Sequence, residues 1–317
     1  MAIRQIRRED RDEWLKLRTR YIGGSDAASV VGLNEYQSPY ALWCEKRGIT
    51  EPFEGNLRTQ VGTFLEDFVA KKFEEETGKR VRKSNFSFVN DDYPFAIADI
   101  DRFVNGEEAI LECKTTSELN LKHYKDGDYP ARFYVQCQHY MAVLGKQKAY
   151  LAVLIGNREF KIFEIERDED EISALMEAEK NFSEYMVGDN PPPIDGSEST
   201  REALNAQIDN SAVEEPEPVD LSDKKQTLET LFEIENTISQ LEEQRDSIKN
   251  QLIQAIGDSW RGLVDGYEVT YKPSSRKTFD WKKLAKEKPQ MDLNGYFKTS
   301  VSRTLKIKEI SDEANQE

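Results

Sequence analysis

Apolar and polar positions change period several times along the first 187 residues, and each change marks an element. Residues 62–78, GTFLEDFVAKKFEEETG, place Phe64, Leu65, Phe68, Val69 and Phe73 at three–four spacing between two glycines. That spacing predicts an amphipathic helix with those residues on its apolar side. Glu66 falls on the same side as Val69 and Phe73. Residues 95–116, FAIADIDRFVNGEEAILECKTT, switch to short apolar runs on either side of Asn105-Gly106, which predicts a hairpin. Residues 129–145 return to helical spacing, with Pro130 suited to the start. Tyr134, Cys137, Met141 and Leu144 form the apolar stripe there, and Gln136, Gln138 and Tyr140 bring hydrogen-bonding ends. A turn at Gly156-Asn157 and a helix from about Asp170 to Tyr185 complete this stretch. Earlier, Ser38-Pro39 opens a helix whose Tyr40 and Trp43 read as core.

The pattern breaks at VGDNPPPIDGSEST and a polar run ending in EEPEPVD, which reads as an acidic, proline-containing linker over 188–220. Beyond it, Ser222 is placed to cap a long helix. Leu231, Ile234, Ile238, Leu241, Ile248, Leu252 and Ala255 form a coiled-coil-like seam, broken once by Arg245. Gly257 is the expected stop. A hairpin follows, with turns at Asp265-Gly266 and Pro273-Ser274, then a short helix from Trp281 to Lys288 and a strand through SVSRTLKIKEI. The expected organisation is a main domain over 1–187, the linker over 188–220, and a helix–hairpin domain over 221–317. The last serves partner docking or oligomerisation.

Composition narrows the class. Of 317 residues, 38% are hydrophobic, enough for a core, and the formal net charge is −16. DNA-binding domains are mostly basic, so contact with phosphates requires a locally basic lining. Cys44, Cys113 and Cys137 are too few for a four-cysteine iron–sulfur cluster and lack zinc-site spacing. Reduced thiols in a cytoplasmic protein are the expectation. The first residues show no apolar signal segment, and no run reaches membrane-spanning length. His123 and His139 have no spacing for zinc or a nucleophilic triad, and His139 reads as structural.

The chemistry concentrates in the hairpin. If Asn105-Gly106 alone form the loop, Asp101 faces Ile110; if the loop runs through Glu108, Asp101 faces Glu112. Side chains alternate along a strand, so either register puts Asp101, Glu112 and Lys114 on one side. Asp99 shares that parity. Apposed carboxylates repel unless a cation lies between them. A hard divalent ion, Mg2+ or Mn2+, meets that need and suits phosphate chemistry. The backbone carbonyl of Cys113 adds an oxygen. Lys114 beside the ion orients a water, or accepts its proton if its pKa is depressed. Glu66, flanking a buried stripe, needs a partner and is a further ligand candidate.

Near the start, Gly23-Gly24 followed by Ser25-Asp26 predicts a turn into a capped helix, whose end offers N–H groups to an anion. Arg18 and Arg20 stand just upstream, placed to clamp a phosphate.

Four blocks occur in order over roughly residues 10–187: W-x-x-L-R with G-G-S-D, G-x-x-x-E, I-D-R…L-E-C-K-T, and Q-C-Q-H-Y. In them the chain resembles the phage-type recombination exonucleases, the YqaJ and lambda-exonuclease branch of the PD-(D/E)xK nucleases. The resemblance implies an α/β (α+β) core with a central mixed sheet flanked by helices. It implies two metal ions and 5′–3′ hydrolysis of duplex DNA ends that leaves 3′ overhangs. It also implies a ring-shaped homotrimer, a RecT- or Beta-type annealing partner, and a phage or prophage setting in a bacterial host. By the same resemblance Glu66, Asp101 and Glu112 are metal ligands and Lys114 positions the water. Gln138 is the active-site glutamine, with Gln136 the alternative, and Arg18 and Ser25 hold the terminal 5′ phosphate. Many relatives have P-D-G where this chain has Ile100-Asp101-Arg102, which leaves Asp99 a competing ligand. A restriction-type endonuclease of the same superfamily is the alternative reading.

Overall fold

The computed structural model describes residues 2–7, 11–52, 55–208, 218–265 and 267–273, together with Leu284 and Glu287. The chain forms two units, Met1–Pro216 and Glu217–Glu317. The first opens with β1 (Ile3–Arg7), α1 (Arg11–Arg20), β2 (Ile22–Gly23), α2 (Gly24–Val30), α3 (Pro39–Lys46) and α4 (Leu57–Thr77). Five strands follow: β3 (Val81–Lys83), β4 (Phe86–Asn90), β5 (Tyr93–Ala98), β6 (Arg102–Val104) and β7 (Ala109–Thr116). It closes with α5 (Ala131–Leu144), β8 (Lys148–Ile155), β9 (Glu159–Glu166), α6 (Glu169–Val187) and α7 (Glu198–Ala206).

The central sheet has the order β3-β6-β7-β8-β9, parallel only between β7 and β8. Helix α4 covers one face, where Val69 and Phe73 meet Leu111, Tyr150 and Ala152. Helix α5 covers the other, where Cys137 and Met141 join Ile110, Leu151 and Val153. This is the mixed sheet flanked by helices that the resemblance implies. A second sheet, β1-β4-β5-β2, pairs β2 with β5 in parallel. Among the described residues no helix is long and apolar enough to cross a membrane, and the three cysteines are free.

Several boundaries differ from expectation. The β6–β7 register pairs Arg102 with Leu111 and Phe103 with Ile110. The longer loop therefore forms, and the Asn105 N–H extends the β3–β6 pairing by bonding to the Arg80 carbonyl at 2.8 Å. Helix α4 starts at Leu57, capped by Asn56, so Gly62 lies inside it. A Cβ on Gly62 would stand 3.3 Å from Thr115 Oγ1, and the missing side chain lets helix and strand approach. Phe64 and Phe68 face outward at 84% and 51% exposure, and the core stripe of α4 is Val69, Ala70 and Phe73. The expected linker over 188–220 contains α7, which docks on α3: Ser38 and Thr200 hydroxyls lie 2.7 Å apart, and Gln207 reaches Tyr40.

In the second unit, α8 (Lys225–Ile256) ends at Gly257, whose φ is +57°. Ser222 opens a short 3-10 turn before it and does not cap it. Strands β10 (Arg261–Val264) and β11 (Tyr267–Thr270) form the expected hairpin, with Val264 opposite Tyr267. Gly266 and Ser274 of the two expected turns lie outside the described residues. So do the strand expected at 300–310 and all but Leu284 and Glu287 of the helix expected at 281–288.

Candidate active site

Asp101 precedes β6, while Glu112 and Lys114 project from β7 toward α5. Asp101 Oδ2 accepts the Cys113 N–H at 2.7 Å. Glu112 is 3% exposed. Its Oε1 accepts from Gln136 Nε2 at 2.8 Å and from Lys114 Nζ at 2.7 Å. Its Oε2 is buried and has no hydrogen-bond partner. Burial and the charge of Glu112 push the Asp101 carboxyl well above the usual range, against the pull of Lys114 and the Cys113 N–H. Burial works to lower the Lys114 pKa, but Glu112 and Asp101 outweigh it and hold the ammonium above its ordinary value. In this arrangement Lys114 Nζ donates to Glu112 Oε1, the donor role that the water-orienting alternative requires.

Glu66 approaches from the other side of the sheet. Arg102 shares parity with Leu111 and so points toward α4. Its Nη1 donates to Glu66 Oε1 at 2.5 Å and to the Asp101 carbonyl at 2.7 Å, and its Nη2 donates to Asp67. Glu66 is thus near enough to raise Asp101 electrostatically, yet its carboxylate is engaged. Asp99 accepts from the Ser87 hydroxyl. Among the described residues, no three His, Cys, Asp or Glu side chains stand close enough to cage an ion. The residues do fit a magnesium-like ion, which characteristically takes one or two protein carboxylates and fills its shell with water and phosphate oxygens. A cation between Asp101 and Glu112 would partner the orphaned Oε2 and relieve the repulsion in one step. The two carboxylates supply hard oxygen ligands, which favour a hard ion.

The glutamine expectation needs correction. Gln138 points away from the carboxylates: its Nε2 donates to the Glu166 carbonyl at 2.8 Å, and its Oε1 accepts the Asp168 N–H at 3.2 Å. It ties α5 to the β9–α6 connection. Gln136, one helical turn before Tyr140, bonds to Glu112 and to the Tyr140 hydroxyl, the latter at 3.0 Å. The i, i+4 spacing of Gln136 and Tyr140 was the available signal. Their being buried was not visible, because α5 is enclosed from Val135 through Leu144. His139 is structural as expected: its Nε2 donates to the Ile97 carbonyl at 2.9 Å and its Nδ1 meets Glu179 at 2.8 Å.

Arg18 and Ser25 do come together, Nη2 to Oγ, at 3.2 Å. Asp26 joins them, accepting from Arg18 at 3.1 Å, from Lys46 at 2.5 Å and from the Gly23 N–H at 2.9 Å. Burial alone would raise the Asp26 carboxyl, but Lys46 and Arg18 hold it below its ordinary value. The helix-end anion site is corrected accordingly: α2 is seven residues long, and Asp26 occupies its cap. Lys46, which the sequence reading missed, also donates to the carbonyls of Arg18 and Tyr21. Gly24 couples this cluster to the carboxylates. A Cβ there would fall 2.3 Å from the Tyr140 ring, so only glycine admits the contact. The bonded path then runs from Tyr140 through Gln136 to Glu112.

Fold and site together define a mixed α/β protein with a sheet-borne carboxylate–lysine centre flanked by an arginine–serine cluster. The chain belongs to the YqaJ-like viral recombinase family. The model of that domain matches residues 13–147. An uncharacterized protein, YqaJ of Bacillus subtilis (strain 168), is 37% identical over 306 residues, covering 95% of each chain. Among solved structures, an alkaline exonuclease from Laribacter hongkongensis in complex with dAMP aligns at 22% identity over 62% of this chain and 95% of its own, with a TM-score of 0.45. A phage-related exonuclease from Haemophilus somnus 129PT aligns at 16% identity over 55% and 96%, with a TM-score of 0.42.

Proposed function

We propose that this protein is a divalent-metal-dependent 5′–3′ exonuclease that acts on double-stranded DNA ends and leaves 3′ single-stranded overhangs. The observation that carries this reading is the buried Asp101–Glu112 pair, with one Glu112 oxygen unpartnered and a cationic Lys114 against it. In this reading Asp101, Glu112 and the Cys113 carbonyl hold Mg2+ or Mn2+. Glu66 serves a second ion once Arg102 exchanges it for a phosphate oxygen, which its planar fork binds as it binds a carboxylate. A bound divalent ion lowers the pKa of an attached water and offsets charge building on the phosphate. Lys114 donates a hydrogen bond that orients the attacking water, and Gln136 fixes the rotamer of Glu112. Arg18 and Ser25 grip the terminal 5′ phosphate. Membership of a viral recombinase family supports DNA as substrate. The resemblance adds a ring-shaped homotrimer in the cytoplasm of a phage-bearing bacterium, with a RecT- or Beta-type annealing protein receiving the overhang.

The test is digestion of end-labelled linear duplex in Mg2+, beside a chelated control and a covalently closed circle. Label release from 5′ ends is expected, with none in chelator and no cut in the circle. Nicking of the circle would move the protein to the restriction-type endonucleases, and inertness toward both substrates sinks the nuclease reading. Arg18→Ala is expected to slow digestion of 5′-phosphorylated ends by about ten- to hundredfold, the worth of a hydrogen bond to a charged group. It should leave 5′-hydroxyl ends little changed, and a preserved preference for phosphorylated ends would remove the pocket. Gln136→Ala should cut the rate by about tenfold or more. Gln138→Ala should cost about 1–3 kcal/mol of stability through its lost buried bonds, with activity per folded molecule retained. The opposite ranking in activity would return the catalytic role to Gln138.

A further inference from the structure

Helix α8 carries Ile234, Ile238, Leu241, Ile248 and Leu252 at exposures between 40% and 58%. With Leu231, Arg245 and Ala255 they recur at alternating steps of three and four residues, the a and d positions of a heptad seam. We propose that α8 pairs antiparallel with the α8 of a second copy of this chain. This goes beyond the nuclease reading and does not depend on it.

The charges choose both occupant and direction. Arg245 occupies an a position, and the chain's own Glu242 and Asp246 take it up at 3.2 and 3.1 Å. Beside the seam, the e positions are Glu235 and Glu242 in the first half and Lys249 in the second, while the g positions Thr237, Gln244 and Gln251 are neutral. A parallel pair in register would set Arg245 against Arg245 inside the seam. It would form no opposite-charge pair at its flanks, where g meets e. A parallel three-helix bundle would gather three arginines, so α8 is unsuited to lie on a threefold axis.

Antiparallel pairing centred near residue 243 takes the two arginines out of a common layer and sets them on either side of the Glu242 pair that this register brings together at its centre. Leu231 then faces Ala255, Ile234 faces Leu252, Ile238 faces Ile248, and Leu241 faces Arg245. Arg245 comes level with Glu242 of the second copy, and Lys249 lies beside Glu235. The 32-residue helix spans about 48 Å, long enough to fill every one of these layers.

Sedimentation of the full chain tests the association. Wild type is expected at no less than twice the mass of Ile238→Asp, with helix content by circular dichroism unchanged. Equal masses would overturn the proposal, and a single-chain mass for wild type would assign the stripe to an unlike partner. Glu235→Lys and Lys249→Glu should each raise the dissociation midpoint about three- to tenfold, and their combination should restore it. Residues 235 and 249 are too far apart along one helix to touch, so rescue reports a contact between copies. Direction is read by oxidative cross-linking. A mixture of Ile234→Cys and Leu252→Cys should link the two variants to each other. A link within Ile234→Cys alone would show parallel pairing, and it or a failed rescue would overturn the proposal.

Discussion

Asp101→Asn is expected to abolish cleavage, by about 10^3-fold or more, while raising the melting temperature of the metal-free protein. The asparagine keeps the acceptor for the Cys113 N–H and removes the charge that burial and Glu112 disfavour. An unfolded aspartate titrates near ~3.9, whereas the folded carboxyl titrates higher. Between the two the folded protein binds more protons, so stability falls as pH rises from about 4 through the raised folded value, and then levels. The variant escapes that loss. Its advantage should vanish at or below about pH 4 and grow as pH rises through the raised folded value, each 1 kcal/mol corresponding to about 2–4 °C in a domain of this size. Lys114→Ala should be equally inactive but less stable, since it leaves Glu112 and Asp101 uncompensated. Thermal scans in chelator at pH 4 and 8, beside nuclease assays, check both. A destabilised Asp101→Asn at pH 8 would show that the carboxylate serves the fold and not a cation.

Gly24→Ala is expected to damage the site from a distance. The added carbon would lie 2.3 and 2.6 Å from two atoms of the buried Tyr140 ring, so the ring or α2 must move. Overpacking of this kind costs about 1–3 kcal/mol, or roughly 2–12 °C. Moving Tyr140 also pulls on Gln136 and hence on Glu112, so the rate should fall about tenfold or more. Tyr140→Phe keeps the ring atoms and should not relieve Gly24→Ala, whereas Tyr140→Leu makes room and should restore part of the lost stability. Full additivity of Gly24→Ala with Tyr140→Leu would show that the two residues do not touch.

Much of this site was legible in one dimension because strand parity is local. Asp101, Glu112 and Lys114 share a face in either register, and only the loop length was open; the pairing of Arg102 with Leu111 closed that choice. Arg18 and Ser25 were brought side by side by the family resemblance and not by a backbone period, and Arg18 Nη2 does reach Ser25 Oγ. The glutamines were not decidable in this way. Gln136 and Gln138 lie on one buried helix, and which of them meets Glu112 depends on how α5 is rotated between the sheet and α6. The apolar stripe of α4 misled for a related reason: Phe64 and Phe68 have the right spacing, but the close approach of Gly62 to Thr115 turns them outward. The prolines of 190–216 concealed α7, whose nine residues are held by contacts to α3 that no local pattern encodes.

The sequence by itself determined the acidic hairpin, the lysine beside it, the glycine-marked turn at the entrance and the heptad of α8, because each rests on a backbone period or on residues a few positions apart. Only the tertiary structure decided that Arg102 holds Glu66, that Gln136 meets Glu112 and that Asp26 is held between Arg18 and Lys46. Those outcomes depend on the rotation and spacing of elements far apart in the chain, where packing and charge compensation choose among faces that the sequence leaves equivalent.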